Sequence, residues 1–203
     1  DAMFDLGLLY DEQEKYDLAE KYYLMAVKYN NGSAMTNLGL IYENQKKYDL
    51  AEKYYLTAVE EESDTGMYNL GLLYDNQKKY TLAEKYYLMA IQNNYSDAMY
   101  NLALLYDNQE KFSLAEKYYL MAIKENDSDA MYNLALIYDN QKKYPLAEKY
   151  YLMAVEANDS DAAFNLALLY DNQKKYNLAE KYYLIAVKDS STKAMYNLGI
   201  LYK

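Results

Sequence analysis

LAEKYYL, residues 18–24, returns unchanged at Leu50, Leu82, Leu114, Leu146 and Leu178, and each copy begins 32 residues after the last. A fixed period of this size marks a chain made from one supersecondary unit used repeatedly. It constrains the fold more tightly than any other signal in the sequence. With phases counted from Asp1, the units run 1–32, 33–64, 65–96, 97–128, 129–160 and 161–192. A partial unit, 193–203, follows, and all belong to a single repeat domain, 1–203.

The fourth unit, DAMYNLALLYDNQEKFSLAEKYYLMAIKENDS over residues 97–128, carries two helical patterns. Met99, Leu102, Ala103 and Tyr106 fall at i, i+3, i+4 and i+7, one face of a helix. Phe112, Ala115, Tyr119, Ala122 and Ile123 define one face of a second helix. The polar run 107–111 separates them. Ser113 followed by Glu116 reads as a capping box for the second helix, repeated as Asp17 with Glu20 and Thr81 with Glu84. Pro145 holds the same phase in the fifth unit, where a first helical turn tolerates it and a continuous helix would not. Phase 7 is always Gly or Ala, and phases 19 and 26 are always Ala, so large side chains on one helix meet small ones on its neighbour.

The spacing of Leu102, Ala103, Tyr106, Ala115, Tyr119 and Ala122 resembles the signature of the tetratricopeptide repeat (TPR), and the likeness covers the whole chain. Two features depart from it. Met usually stands at the family's Trp phase, and the final Pro gives way to Asn/Asp/Ser loops shorter by two residues, as in the Sel1-like relatives of the family. The resemblance implies an all-α fold: an α-solenoid, a right-handed superhelix of six two-helix repeats plus one terminal helix over 194–203. One helix pair cannot bury its apolar face alone, so neighbouring pairs stack.

Composition removes several functions. The net charge is −10, and all 21 basic residues are Lys, so the chain lacks the basic field that nucleic acid requires. No apolar run approaches the roughly 20 residues of a membrane span. There is no Cys and no His, which removes thiolate chemistry, the commonest general base and a usual metal ligand. With only six Gly, no phosphate-binding loop is present. Asp107, Asp139 and Asp171 recur at one phase and read as a solvated ring of charge rather than an acid–base pair. The sequence therefore predicts no enzymatic activity, no cofactor and no metal. Asp1 is in phase with Asp97, Asp129 and Asp161, which reads as a cut from a longer array.

In a TPR-like array the first helices line the concave groove. Opposite their core face lies Asn37, Asn69, Asn101, Asn133, Asn165 and Asn197, with Asp5 at this phase in the first unit. An amide can both donate to and accept from one peptide unit of an extended chain while ignoring its side chains. The row is similar to the asparagine ladder of some peptide-binding TPR proteins. Tyr68, Tyr100 and Tyr132 flank it, Leu72, Leu104 and Leu136 add apolar contact, and Asn76, Asn108 and Asn140 extend it. The Lys-rich carboxylate clamp of some family members is missing. The expected partner is therefore an extended protein or peptide segment, neutral or basic, held by a scaffold.

The same sequence supports a second reading, a structural array that self-assembles. Leu18, Tyr22 and Met25, and their equivalents, form a stripe beside the core face that is either buried between repeats or free to meet another chain. Asn31, Asn94, Asn126 and Asn158 each open an N-x-S glycosylation triplet in the loops between units. Such glycans place the chain outside the cell, whereas a peptide scaffold fits the cytoplasm. Irregular loops such as EEESDTG (60–66) and KDSSTK (188–193) read as drift after duplication rather than a designed consensus.

Overall fold

The computed structural model describes residues 2–203, and Asp1, the first residue of the first unit, lies outside them. The described residues form an all-α solenoid of two-helix repeats. Its helices are α1 (Ala2–Glu12), α2 (Tyr16–Val27), α3 (Gly32–Asn44), α4 (Tyr48–Glu60), α5 (Asp64–Asn76), α6 (Tyr80–Gln92) and α7 (Asp97–Asn108). They continue as α8 (Phe112–Lys124), α9 (Ser128–Asn140), α10 (Tyr144–Glu156), α11 (Ser160–Asn172), α12 (Tyr176–Lys188) and α13 (Thr192–Leu201). Contacts cluster into two compact units, Asp1–Leu105 and Tyr106–Lys203, with the boundary inside α7. In the first unit, α1 packs on α2, α3 on α4 and α5 on α6, while α2 meets α3 and α4 meets α5. In the second, α9 packs on α10 and α11 on α12, with α8–α9, α10–α11 and α12–α13 joining successive repeats.

Both kinds of connection turn on a residue in the left-handed region, and none of these residues is Gly. Between the helices of a pair they are Glu14, Lys46, Lys78, Glu110, Lys142 and Lys174, with φ from 57° to 60°. Between pairs they are Asn30, Glu62, Asn94, Asn126, Asn158 and Ser190, with φ from 56° to 66°. The first turn closes when the next Lys N–H donates back to the phase-10 carbonyl, as from Lys47 to Tyr42 and from Lys143 to Tyr138, both at 2.8 Å.

The predicted capping box is not formed. The second helices begin two residues earlier than that box requires, on Tyr16, Tyr48, Tyr80, Phe112, Tyr144 and Tyr176. Their N-cap is a Lys without a side-chain cap bond. Glu20, expected to cap α2, instead accepts from Tyr42 Oη of the next repeat at 2.7 Å, and Glu52 accepts from Tyr74 at 2.8 Å. In the second unit Glu148 accepts from Tyr170 at 2.9 Å. A phenol one repeat away outbids the local backbone N–H, which water can reach. Side-chain caps occur at first helices, where Asn31, Asp127 and Asp159 accept from the amides of Ala34, Ala130 and Ala162 at 2.8–2.9 Å. Pro145 sits in the first turn of α10, as expected.

The repeated heptapeptide now reads residue by residue. Its Ala is fully buried in every copy, and its second Tyr (Tyr23, Tyr55, Tyr87, Tyr119, Tyr151, Tyr183) is 0% exposed. In the first unit that ring lies against a glycine. A Cβ on Gly39 would stand 2.3 Å from the Tyr55 ring, and on Gly71 2.6 Å from Tyr87. The first Tyr stacks on the phase-10 Tyr of its own repeat, as in Tyr42–Tyr54 (5.4 Å) and Tyr138–Tyr150 (5.7 Å). Two lysines cover the stack: Lys47 over Tyr42 at 5.7 Å and Lys53 over Tyr54 at 5.6 Å. Each exposed cation–π contact contributes about 0.5–1 kcal/mol. The Lys of the heptapeptide is thus a packing residue as well as a charge.

Two placements differ from the sequence reading. Phe112, assigned to the core face, is 41% exposed, as are its equivalents Tyr16, Tyr48, Tyr80, Tyr144 and Tyr176 at 41–52%. The stripe containing Leu18, Tyr22 and Met25 is split. The Leu phase stays 38–39% exposed in all six copies, whereas the Tyr phase is half-buried at Tyr22 and Tyr54 and buried at Tyr86, Tyr118, Tyr150 and Tyr182.

Burial, more than the nearby Asp11 and Asp171 carboxylates, pushes Tyr23 and Tyr183 up to about 12, and it raises Tyr55 and Tyr151 further. A folded-state pKa above the unfolded value of 10.0 gives stability that is complete below that pH and lost as pH climbs through the folded value. Circular dichroism and tyrosinate absorbance should therefore report cooperative helix loss together with phenol ionisation above about pH 10. Separately, Asn177→Pro, at the phase where Pro145 already fits, should raise stability by about 0.4–1 kcal/mol in urea titration.

Candidate functional site

The candidate site is built on the first helices. Tyr68, Asn69, Leu72 and Asn76 lie along α5, and Tyr132, Asn133, Leu136 and Asn140 along α9, with the i, i+3, i+7 spacing of Asn69, Leu72 and Asn76 marking one face. The Asn, Tyr and Leu members are half-buried in both helices, and Asn76 and Asn140 are exposed. In the neighbouring first helices, Asn37, Asn101, Leu104, Asn165 and Asn197 are half-buried, as is Tyr100, and Asn108 is exposed. Each asparagine is held by the helical periodicity that buries Leu at the following position.

The asparagine donors are already engaged. Asn101 Nδ2 donates to Tyr68 Oη at 3.0 Å and to the Asp97 carbonyl at 3.1 Å. Asn165 Nδ2 donates to Tyr132 Oη at 2.9 Å. In both cases the phenol belongs to the preceding repeat. Phe4 lacks a hydroxyl, and there Asn37 Nδ2 reaches Tyr23 Oη at 3.1 Å. Phe164 likewise leaves Asn197 to bond Tyr183. Thr36 is too short for the role, and Asn69 donates to the carbonyl of Thr65 in its own helix at 2.8 Å. Asn133 donates to the Asp129 carbonyl at 3.0 Å. At Asn37, Asn69, Asn101, Asn165 and Asn197 the residue at phase 4 of the preceding repeat therefore selects the partner. That link joins residues 33 apart, so a reading confined to one unit does not find it.

The hydrogen bonds of Asn37, Asn69, Asn101 and Asn165 all use Nδ2, and no bond among the described residues uses their Oδ1 atoms. What these amides offer a ligand is an acceptor. Exposed Asp97, Asp129 and Asp161 stand one turn earlier on the same helices. The face thus carries amide acceptors beside exposed carboxylates.

The aspartates at phase 11 are not the solvated ring expected from sequence. Asp107, Asp139 and Asp171 are half-buried. Tyr183 Oη donates to Asp171 at 3.4 Å, and in the first unit Tyr55 Oη donates to Glu43, at the same phase, at 2.8 Å. Burial raises Asp107 and Asp139 above the usual carboxylate range. Among the described residues no three metal-ligating side chains converge, and no helix is long and apolar enough to cross a membrane.

The glycosylation triplets fall into two groups. Asn94, Asn126 and Asn158 are exposed at left-handed turn positions between repeats. Asn31 is half-buried and caps α3 through its side chain.

Two tetratricopeptide repeat profiles match the sequence, one over residues 4–66 and 100–163 and the other over 64–95 and 160–188. A Sel1 repeat profile matches 192–203. No curated protein sequence matches the chain. Similar solved structures include a Sel1 repeat protein from Oxalobacter formigenes, 25% identical with a TM-score of 0.76, over 99% of this chain and 88% of that one. A protective antigen of uropathogenic Escherichia coli strains with an SLR fold is 19% identical with a TM-score of 0.79; 97% of this chain is covered but only 47% of the antigen, about half its length. YrrB, described as a TPR protein with an unusual peptide-binding site, is 19% identical with a TM-score of 0.64, over 86% of this chain and 96% of that one.

If the Tyr–Asn link couples successive first helices, Tyr132→Phe and Asn165→Ala should be non-additive. Urea unfolding of the double-mutant cycle should give a coupling of about 0.5–1.5 kcal/mol. The same cycle at Thr65 and Asn69, where the asparagine uses a backbone carbonyl, should give none.

Proposed function

The chain belongs to the tetratricopeptide repeat family, and from that premise we propose that it is a non-enzymatic scaffold whose first helices hold an extended, neutral or basic peptide segment. The observation that carries this reading is the state of the asparagine amides. At Asn37, Asn69, Asn101 and Asn165 the N–H groups are tied to the array and the oxygens stand as acceptors. An extended peptide presents N–H donors at regular intervals, and a basic one adds cations for Asp97, Asp129 and Asp161. The acidic balance of the whole chain points the same way.

Each compact unit supplies three rungs: Asn37, Asn69 and Asn101 in one, Asn133, Asn165 and Asn197 in the other. At about 0.5–1.5 kcal/mol net per hydrogen bond, three rungs fall short of an association cost of about 4–15 kcal/mol. Apolar contact with Tyr68 and Leu72, or Tyr132 and Leu136, must supply the remainder, so a micromolar site fits this arrangement and a picomolar one does not. The peptide-binding site named for YrrB belongs to that protein; its fold likeness supports the class of ligand and none of the residues. A second reading, an assembling and glycosylated array, rests on the exposed turn positions of Asn94, Asn126 and Asn158.

A random peptide array probed with the native protein and with Asn69→Ala tests the main reading. Asn69 makes no bond to another repeat, so its loss should leave the melting temperature nearly unchanged while weakening bound peptides about threefold to tenfold. Unchanged binding would remove the asparagine ladder.

A further inference from the structure

We propose that the two edges of the second compact unit are complementary docking surfaces and that their occupant is a second copy of this chain. The helices of each pair run antiparallel, so the turns within pairs gather at one edge and the loops between pairs at the other. The edges are separated by the length of a helix, about 20 Å for 13 residues.

The turn edge is basic and apolar. Lys111, Lys142, Lys143, Lys174 and Lys175 are exposed there, against one exposed carboxylate, Glu110. Beside them Tyr144 is 41% exposed, Leu146 39%, Tyr176 52% and Leu178 38%. A shallow hollow of about 350 Å³ opens among Lys174, Lys175, Tyr176, Asn177 and Leu178. The loop edge is acidic on balance: Glu125, Asp129, Glu156, Asp161 and Asp189 are exposed there, against Lys124, Lys188 and Lys193.

In a chain of net charge −10, paired lysines beside exposed tyrosine and leucine have an obvious complement in its own carboxylates. Register supports the match. Every repeat adds one turn to one edge and one loop to the other, so both rows have the same pitch. Copies set side by side along the helix axes bring lysine pairs opposite acidic loops. They also remove Tyr144, Leu146, Tyr176 and Leu178 from water. The two patches differ, so the contact is heterologous and does not close. It builds an open ribbon rather than a symmetric dimer. Attraction between exposed charges decays over about 8 Å at physiological ionic strength, so assembly is salt-sensitive. The asparagines lie along the sides of the first helices, but Asp129 and Asp161 belong to both surfaces, so the test reads association of the chain with itself in the absence of any peptide.

Sedimentation velocity of the full chain at low and high salt tests the idea, alongside Lys142→Glu/Lys174→Glu and Glu156→Lys/Asp161→Lys. The fold accepts both changes. Glu14 and Glu110 already hold the phase of Lys142, Lys28 and Lys188 that of Glu156, and Lys193 that of Asp161. At low salt, species larger than 23.8 kDa should grow with protein concentration and disappear on adding salt. Either variant alone should weaken association on the order of tenfold or more, and mixing the two should restore it, since each reversed edge then meets a complementary one. A single 23.8 kDa species at low salt overturns the proposal. So does association that neither salt nor either variant weakens, or association that requires added anionic vesicles or an acidic peptide.

Discussion

A tyrosine ring laid against a helix that offers almost no side chain brings the two helices of a repeat together. Tyr55 against Gly39 and Tyr87 against Gly71 leave no room for a methyl group without movement. In the second unit the same phase carries buried Ala135 and Ala167, and Tyr151 and Tyr183 remain fully enclosed. With the ring in place, the alanines on either side of it along the second helix are sealed. The outer tyrosine is then positioned to stack on its phase-10 partner, and the neighbouring glutamate to receive a phenol from the next repeat. The heptapeptide is invariant because its buried, stacked and hydrogen-bonding members each face a partner that is itself repeated.

The helix pairs, the small-residue phases and Pro145 were legible in the sequence because each depends on neighbours within one helix or one pair. The capping box was misread for a physical reason. Glu20 and Glu116 have two acceptable partners, a local backbone amide and a phenol on the next repeat, and only the second is removed from water. The aspartates at phase 11 were misread as solvated because their tyrosine partners lie on a different helix. Phe112 satisfies helical periodicity, yet it and its equivalents in the other repeats stay exposed. In each case the pattern within a helix was right and the decision was made between helices.

The asparagine row shows the same division. Its spacing and its place on the first helices follow from sequence. The commitment of its N–H groups does not, because that depends on whether the preceding repeat carries Tyr, Phe or Thr at phase 4. The amides therefore hold the array through their nitrogens, and their oxygens take no part in it at Asn37, Asn69, Asn101 and Asn165. Glycans at Asn126 and Asn158 would stand among the carboxylates of the loop edge, so a glycosylated chain and an edge-to-edge ribbon exclude one another.

The bonds that join one repeat to the next have short reach: Tyr42 to Glu20 spans 22 residues, and Asn101 to Tyr68 spans 33. Neither reaches beyond the adjacent unit. Removing or inserting a whole 32-residue block therefore rejoins a phase-10 tyrosine with a heptapeptide glutamate, and each asparagine takes the partner its new phase-4 neighbour leaves it. Near-identical copies also encourage misaligned recombination in the gene. Selection can thus adjust the length of such an array in whole steps, lengthening or shortening its reach while disturbing contacts only at the new junction.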